Sequence, residues 1–393
     1  MRIEDQAGWS HDFPVKYLLG QVDAELDVEY WGRCAAVEGL FVDPVPPPRE
    51  VLTIRGCKPD GPWGDVIARP DEATRSLGTL EVAIWDERQP QFAWDLVDAV
   101  VLTHRPNAAD PGLVDVVVGT GVIEHAEVWC GAGPGTMPTL PRYEVYAASR
   151  RGVLTGECLG IDGLLVPRAA QADIPLQLIG CEPGGPLLAA LRDPRSWTKE
   201  WAALQALDRT GREMARHMVR LEITDVRPSV LGDPLLDITL ADGGDDDRPP
   251  QAARHIWETW YRGHPSTPNQ WAPLDTQGRT EWLNLTRRHP GGPDSTGGTH
   301  HLAGRFITDL PGLYCALGEA LIGPGLNIGR GWDDLKDCLS GRRGIVGPFT
   351  LVWHDADIAR RALDFVDGPD RSLTYFDEIL RLLEGHRANV VLR

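Results

Sequence analysis

Short runs of β-branched and alternating apolar residues, bounded by Gly and Pro, dominate the first 240 residues of the chain. Such runs are typical of half-buried β-strands. Segment 197–207 instead places Trp197, Trp201 and Leu204 at helical spacing, which predicts a helix whose tryptophans lie in the core. We therefore expect antiparallel sheets or small barrels, interrupted by at least one helix. The strands predicted most clearly are 51–54, 79–85, 113–118, 176–179 and 219–223.

The same part of the chain repeats itself without gaps at a constant offset of 124 positions. The repeat predicts two related β-rich modules in succession, 12–125 and 140–242. Its glycines, such as Gly56 and Gly61, are expected in turn conformations closed to residues with a Cβ, and its cysteines are interpreted as structural. The repeated residues are Gly32, Cys34, Gly39, Leu40, Val42, Leu52, Gly56, Cys57, Pro59, Gly61 and Pro62, matched by those from Gly156 to Pro186.

Residues 243–298 have the composition of a connecting segment. A stretch rich in Pro, Gly, Thr and Asn carries the isolated Trp271 and Trp282. We expect a long linker whose tryptophans hold it against a neighbouring domain.

From residue 299 to 393 the pattern changes to alternating strands and helices, which predicts an α/β layer with a parallel sheet. Either Thr308 or Asp309 is a candidate N-cap for a helix entered by Pro311. The whole chain is thus predicted to be a multi-domain α+β protein, with two β-rich modules before a C-terminal α/β domain. The predicted C-terminal strands are 301–307, 349–353 and 390–392, and the other predicted helices are 332–340, 357–363 and 372–384.

The short helix 332–340 separates apolar from acidic positions. At 100° per residue, Asp333 and Asp337 project together, opposite the apolar side. Glu378 is expected to point away from the apolar stripe of the last helix. Acids in these positions are also typical of a solvated helix surface, and those at a helix N-terminus are favoured by its dipole. The apolar side consists of Trp332, Leu335, Cys338 and Leu339.

The charge balance narrows the choice of partners. The 393 residues include 57 acids and 39 bases, for a formal charge of -18. This balance disfavours nucleic acid and anionic membranes and favours a basic partner. The seven cysteines form no CxxC pair, and no residues at metal-ligand spacing accompany them, so no metal or cofactor is expected. No signal or membrane-spanning pattern is evident, so we expect a cytoplasmic protein of unspecified oligomeric state.

Seven residues around the short helix resemble the central-helix signature of the barstar family of ribonuclease inhibitors. The resemblance extends over about 299–393 and implies a three-stranded parallel sheet flanked by helices. The run 314–319 and the strand 349–354 reinforce it. The signature residues are Gly329, Asp333, Leu335, Asp337, Cys338, Leu339 and Gly341.

The resemblance also implies a function, which is inhibition of a small basic, guanyl-specific ribonuclease in an immunity or self-protection role. Such a nuclease binds the RNA phosphate with cationic side chains, so a carboxylate fixed at the same point can replace the phosphate. The match gives this role to Asp337, with Asp333 as a second anionic contact and Glu378 as an acid on the last helix. The chain is accordingly predicted not to be an enzyme.

The sequence departs from the family pattern around the helix. Asn327 and Ile328 stand before Gly329 where an aromatic pair is usual, and Gly331 replaces an expected Asn. Lys336 places a cation between the two acids. We expect these five residues to contact the partner as well, and to change which target the domain recognises, because aromatic anchors dominate many interfaces.

Two alternative functions remain open. In one, the domain binds another basic toxin or protein, with the repeats as a scaffold. In the other, the N-terminal repeats form an enzyme that uses His104 or His125 with nearby acids. The second is disfavoured because no nucleophile elbow, phosphate loop or metal-spaced His cluster is present.

Overall fold

The computed structural model of the chain divides into two compact units. The larger unit comprises Met1–Pro44 and Gln171–Arg393, and the smaller unit comprises Val45–Ala170. The structure describes residue 9 and residues 11–22, 28–43, 45–59, 61–68, 76–85, 90–124, 143–147, 154–168, 174–192, 201–241, 248–288, 295–341, 345–365 and 373–393.

The N-terminal region is mostly β-structure, as its apolar alternation predicts. Its elements are, in chain order, β1 (Tyr17–Val22), β2 (Val28–Glu38), β3 (Arg49–Pro59), α1 (Gly61–Ala68), β4 (Ser76–Trp85), β5 (Pro90–Pro106), β6 (Val114–Glu124), β7 (Tyr143–Ala147), β8 (Leu154–Cys158), β9 (Gly160–Asp162), β10 (Leu176–Pro183), α2 (Gly185–Arg192), β11 (Trp201–Leu207), β12 (Glu213–Arg220), β13 (Ile223–Pro228) and β14 (Leu236–Leu240).

The smaller unit is a β-barrel. Its strand order is β6-β5-β4-β7-β8-β3-β9, and β6 also pairs with β3, which closes the ring. Strands β8 and β9 run along the same edge of β3 on either side of Leu159, which donates its N–H to Arg55 O at 2.9 Å. Closure removes exposed strand edges and leaves one apolar interior, which includes Ile54, Val82 and Leu96.

The larger unit contains a sheet of the same strand order. It runs β12-β11-β1-β2-β10-β14-β13, all antiparallel, and its two outer strands β12 and β13 are separated by Leu221 and Glu222 alone. The run β5-β4-β7-β8-β3-β6 of the smaller barrel corresponds in this order to β12-β11-β1-β2-β10-β14. Strands β12 and β13 lie at opposite edges of the sheet, next to β11 and β14, but are almost continuous in the chain. The sheet therefore curves until its two edges meet near Leu221 and Glu222.

The repeated segments are interleaved between the units. Strands β1 and β2 join β10–β14 in the larger unit, while β7–β9 join β3–β6 in the smaller one. Cys34 on β2 thus faces Cys181 on β10. The predicted succession of two modules, 12–125 and 140–242, is not confirmed, because each of those segments supplies strands to both units.

One repeated glycine has the same structural role in both units. Gly56 and Gly180 have φ of 58° and 59° and lie at irregularities of β3 and β10. Each donates its N–H to a buried aspartate, Gly56 to Asp115 Oδ1 at 2.9 Å and Gly180 to Asp237 Oδ1 at 3.0 Å. The expected backbone conformation closed to residues with a Cβ is confirmed at these two positions, at irregularities within strands and not at turns, whereas Gly61 is the first residue of α1.

The helix predicted at 197–207 is wrong. Residues 201–207 form β11, which lies between β1 and β12. All six residues after Trp201 are buried, so sheet pairing and burial on both faces override the helical spacing of the large side chains. Trp201 itself is exposed rather than in the core, and Trp197 lies outside the described residues.

The described part of the predicted connector 243–298 includes two packed helices. It contains α3 (Arg254–Arg262) and α4 (Thr276–Leu285), and Asp275 caps α4 by accepting from Gly278 N at 2.7 Å. Trp271 and Trp282 are 0% and 3% exposed, which confirms that they anchor the segment. They belong to one apolar core that continues from the barrel of the larger unit into the C-terminal domain.

The C-terminal domain has the predicted parallel sheet of three strands. Its central strand, β20, pairs with β17 on one side and β21 on the other, and Leu351, Val352 and Trp353 are buried, as expected of a strand covered on both faces. The elements are β15 (Arg287–Arg288), β16 (Ser295–Thr296), β17 (Thr299–Ala303), α5 (Leu310–Leu321), β18 (Leu326–Asn327), α6 (Trp332–Leu339), β19 (Ile345–Val346), β20 (Phe349–His354), α7 (Ala356–Ala362), α8 (Tyr375–Gly385) and β21 (Ala388–Leu392).

Of the two predicted candidates, Asp309 is the N-cap of α5. Asp309 accepts the N–H of Gly312 at 2.8 Å, with Pro311 in the first turn. The same carboxylate pairs with Arg279 of α4 at 2.9 Å, so α5 is tied to the preceding helix. Helices α4 and α5 thereby form part of the frame on which the loop before α6 rests.

Candidate protein-binding site

Helix α6 presents two acids to solvent and buries its opposite side. Asp333, Lys336 and Asp337 are exposed, whereas Leu335, Cys338 and Leu339 are 0%, 2% and 1% exposed. Asp333 and Asp337 are four residues apart, so they share one face as the spacing predicts. Within the part of the chain that the structure describes, no cation lies within 4 Å of either carboxylate.

An aromatic layer supports the first turn of α6. The Trp332 ring meets Tyr375 edge to face at 6.2 Å, and Tyr375 stacks on Phe365 at 5.4 Å. The hydroxyl groups of Tyr375 and Tyr314 are 2.5 Å apart. Burial raises the pKa of Tyr314 far above its usual range, and Tyr375 and the charges of Asp334 and Asp333 add to the shift. The helix that carries these acids is therefore supported by a rigid aromatic layer whose tyrosine Tyr314 stays uncharged.

The loop before α6 is held from inside the protein. Asn327 is 3% exposed and donates Nδ2 to Thr286 O at 3.0 Å and to Thr286 Oγ1 at 2.9 Å, while its Oδ1 accepts from Gly329 N at 3.1 Å. Ile328 is fully buried. The prediction that Asn327, Ile328 and Gly329 contact a partner conflicts with their burial. All three lie in the interior of the protein, where they position the loop.

Gly329 brings the loop against the helix. Its φ is 122°, and a Cβ there would lie 2.5 Å from Asp334 Cβ. Asp334 accepts the N–H of Arg330 at 3.3 Å, which fixes the entry into α6 although Gly331, the N-cap, has no side chain to offer. Gly331 is partly exposed, and none of the described residues lies within 4 Å of a Cβ built on it.

Sequence reasoning missed Arg330. It is exposed beside the acidic face, and its Nη2 donates to Asn284 O at the end of α4 at 2.8 Å. Its position between Gly329 and Gly331, directly before helix α6, is the sequence feature that could have indicated it. The acidic face thus has Arg330 at its entrance and Lys336 within it.

Glu378 is not where the sequence pattern predicts it. Its residue is 2% exposed, with Tyr375 and Leu382, three positions before and four after it, also buried. Helix α8 is covered on more than one side, so the position opposite its apolar stripe lies in the interior. The expectation that Glu378 points away from the core is wrong, and it has no open face for a partner.

The alternative catalytic residues find little support in their surroundings. His104 is exposed on β5, and His125 lies outside the described residues. The described parts of the chain hold no group of three or more His, Cys, Asp or Glu placed to bind a metal. A hydrogen bond with Cys181, together with burial, raises the pKa of the Cys34 thiol, which disfavours a reactive thiolate.

Comparison with known proteins bears on the C-terminal domain. Among the helices of the described residues, none is long and apolar enough to cross a membrane. No curated protein matches the chain. The family model described as Barstar (barnase inhibitor) matches residues 298–388, which include β17, α5, α6 and β20. The resemblance to the barstar family is therefore confirmed for this C-terminal segment of the chain.

Proposed function

We propose that this protein inhibits a small basic ribonuclease by placing helix α6 in its active site. The observation that carries the proposal is the pair Asp333 and Asp337, both exposed and four residues apart on a helix anchored by its opposite face. The Barstar match supports it, because α6 lies inside residues 298–388. The role is stoichiometric binding, not catalysis, and it fits an immunity or self-protection protein.

Charge mimicry explains how two carboxylates block a nuclease. A ribonuclease that holds an RNA phosphate with Arg, Lys and His presents N–H donors in a fixed array. Asp337 supplies two acceptor oxygens for those donors, and Asp333 extends the negative surface by one turn. The helix loses little entropy on binding because its base is already packed, so more of the interaction energy appears as affinity.

Lys336 and Gly331 determine which nuclease fits. Lys336 is exposed on the acidic face, so a suitable nuclease must present an acid or an open space opposite it. Gly331 leaves the helix entrance without a side chain, which allows close approach there. Asn327, Ile328, Gly329 and Glu378 act indirectly, by holding the loop and the domain that present the acids.

Titration of the full-length chain against barnase-type ribonucleases tests the proposal. The full chain is required because the core of 298–388 continues into α3 and α4. We expect a one-to-one complex, loss of RNA cleavage at equimolar inhibitor, and an affinity that falls steeply with salt. Absence of both binding and inhibition across several such nucleases would contradict the proposal.

A second candidate keeps the surface and changes the target. Arg330 and Lys336 add two cations to the acidic face, which favours a basic protein whose own surface carries interspersed acids. In that case the domain neutralises a different basic toxin. Affinity capture with the full chain, compared with capture by an Asp337→Ala variant, distinguishes the two, since the recovered protein is or is not a ribonuclease.

A further inference from the structure

A cavity of about 560 Å³ lies within the larger unit, bounded by β12, α3, the end of α4 and the loop before α6. This volume falls within the range of roughly 300–1,000 Å³ typical of ligand sites. Most of the residues that line it are polar. The residues that matter here are Glu213, Arg216, Trp257, Glu281, Asn284 and Arg330.

Glu281 is the buried acid of this cavity. Its residue is 8% exposed, and its Oε1 accepts a hydrogen bond from Trp257 Nε1 at 2.6 Å. Phe41 packs edge to face on Trp257 at 5.2 Å and His217 stacks on it at 5.4 Å, so the indole is fixed. Counted over the described residues, this is the one hydrogen bond of the Glu281 side chain. A single neutral donor does not compensate a buried carboxylate.

The cations that line the cavity are already engaged. Arg216 makes two hydrogen bonds of 2.9 Å to Glu213. Arg330 reaches Asn284 O at 2.8 Å. In the described part of the molecule no cation forms an ion pair with Glu281. A guanidinium or ammonium group that enters the cavity would supply the missing charge-assisted hydrogen bond.

The cavity adjoins the acidic face of α6. Arg330 forms part of its wall and precedes Asp333 by three residues, a length of chain that spans at most about 11 Å. We propose that the cavity binds an arginine or lysine side chain of the same basic protein that α6 binds. This inference rests on the proposed function. It makes the barrel strand β12 and helices α3 and α4 part of a single binding surface with α6.

The first test is Glu281→Gln in the full-length chain, with a barnase-type ribonuclease as the probe in isothermal titration calorimetry. Gln keeps the shape and can still accept from Trp257, so the fold is retained and the charge is lost. We expect affinity to fall at least tenfold. The matched control is Glu258→Gln on the exposed side of α3, which should change affinity less than twofold. An unchanged affinity for Glu281→Gln, beside a clear loss for Asp337→Ala, overturns the cavity inference and leaves the proposed function standing.

A second variant avoids changing the interior. Asn284 is exposed at the cavity mouth and contributes its backbone oxygen, not its side chain, to Arg330. Asn284→Arg therefore preserves that bond while placing a competing cation at the entrance. We expect at least a tenfold loss of ribonuclease affinity with an unchanged melting temperature. Full affinity at full stability counts against the cavity as part of the interface.

A third measurement separates the partner's side chain from a small free cation. L-arginine methyl ester carries cationic groups without a carboxylate, and the ¹⁵N-labelled indole of Trp257, assigned with Trp257→Phe, reports its arrival. We expect a saturable shift that Glu281→Gln abolishes. If the ester binds but Glu281→Gln does not weaken the ribonuclease complex, the cavity serves a small cation and the partner assignment is overturned. If no ribonuclease binds, the proposed function and the partner assignment fail together, and the ester titration still decides whether the cation site exists.

Discussion

The C-terminal domain and the barrels differ in how far apart along the chain their neighbouring elements lie. In the C-terminal domain, β17, β20 and β21 follow one another with helices between them, and the acidic helix α6 lies inside that succession. In the larger barrel, β2 pairs with β10, although the whole of the smaller unit, Val45–Ala170, separates these two strands along the chain. The local hydrophobic pattern thus predicts secondary-structure elements in both regions. It predicts which strands pair only in the C-terminal domain, where paired strands lie close together in the chain.

The largest expected effect tests whether binding belongs to the C-terminal region. Asp337→Ala should weaken the ribonuclease complex by 100-fold or more. Close charge pairs in the barnase–barstar complex couple by about 1.5–7 kcal/mol, which sets the order of magnitude of the expected loss of binding free energy. Titration calorimetry at low and physiological salt measures the change.

Two exposed acids serve as controls for that prediction. Glu384→Ala lies in the same domain on α8, and Asp225→Ala lies on barrel strand β13. Both should leave affinity within about threefold, since isolated surface charges contribute little. If all three substitutions had equal effects, general attraction between an acidic chain and a basic nuclease would explain binding, and α6 would lose its special role.

The next effect concerns stability at the loop before α6. Gly329→Ala places a Cβ 2.5 Å from Asp334 Cβ at a φ of 122°. Backbone strain of this kind costs about 1–3 kcal/mol, and the clash adds to it. Urea unfolding should therefore show a clear loss of stability in the larger unit. Gly331→Ala, two residues later with open space around it, is the matched control and should lose less than about 1 kcal/mol. Equal losses would mean that the loop adapts freely and does not position α6.

A smaller effect compares the two barrels at corresponding aspartates. Asp237→Ala leaves the N–H of Gly180 without its acceptor, which costs about 1–3 kcal/mol for a buried donor. The exchange of that amide with deuterium should accelerate accordingly. Asp115→Ala should act in the same direction on Gly56 in the smaller unit. If one substitution were silent, the two barrels would not depend on the shared bend in the same way.

Acid should reveal the Asp115 contacts in the smaller unit. The hydrogen bond from Asn107, followed by that from Gly56 N–H, lowers the pKa of Asp115 from 3.8. A carboxylate whose pKa is lower in the folded state contributes stability that is present above pH 3.8 and is lost as the pH falls through the folded value. Wild type should therefore lose melting temperature between about pH 4 and 2 more steeply than Asp115→Asn. Parallel curves would contradict the assignment.

The sequence predicts helices and strands better than it predicts which strands pair or which helix faces are buried. Asp309 and Pro311 mark the start of α5, and the apolar run around Leu351 marks the central strand, because both signals are local. Helical spacing predicts a helix at Trp201, but its strand β11 pairs with β1, which lies about 180 residues earlier in the chain and outside any local pattern. Residue pairs such as Cys34 and Cys181 lie beyond any local pattern.

The candidate site shows the same difference between local properties, which the sequence predicts, and burial by the rest of the fold, which it does not. Asp333 and Asp337 are exposed as predicted, because a single helix face determines their direction. Glu378 and Asn327 are buried because the rest of the chain covers them. Tyr375 and Leu382 of the same helix are buried together with Glu378, and Asn327 is hydrogen-bonded to Thr286. Helical periodicity describes an isolated helix, and burial depends on what the rest of the chain places against it. The cavity at Glu281 could not be predicted for the same reason.

The smallest expected effect concerns Gly331, the N-cap of α6. Its φ of -160° and ψ of 179° are open to any residue, and a Cβ built there meets no described residue within 4 Å. Gly331→Asn adds a side chain that can accept one of the free N–H groups of the first turn, so we expect a gain of a few tenths of a kcal/mol in urea unfolding. Affinity for the ribonuclease should fall if Gly331 lies against the partner, because the added side chain then occupies the space of close approach. A gain in stability with unchanged affinity would restrict the interface to the Asp337 end of the helix and remove Gly331 from the predicted contact residues.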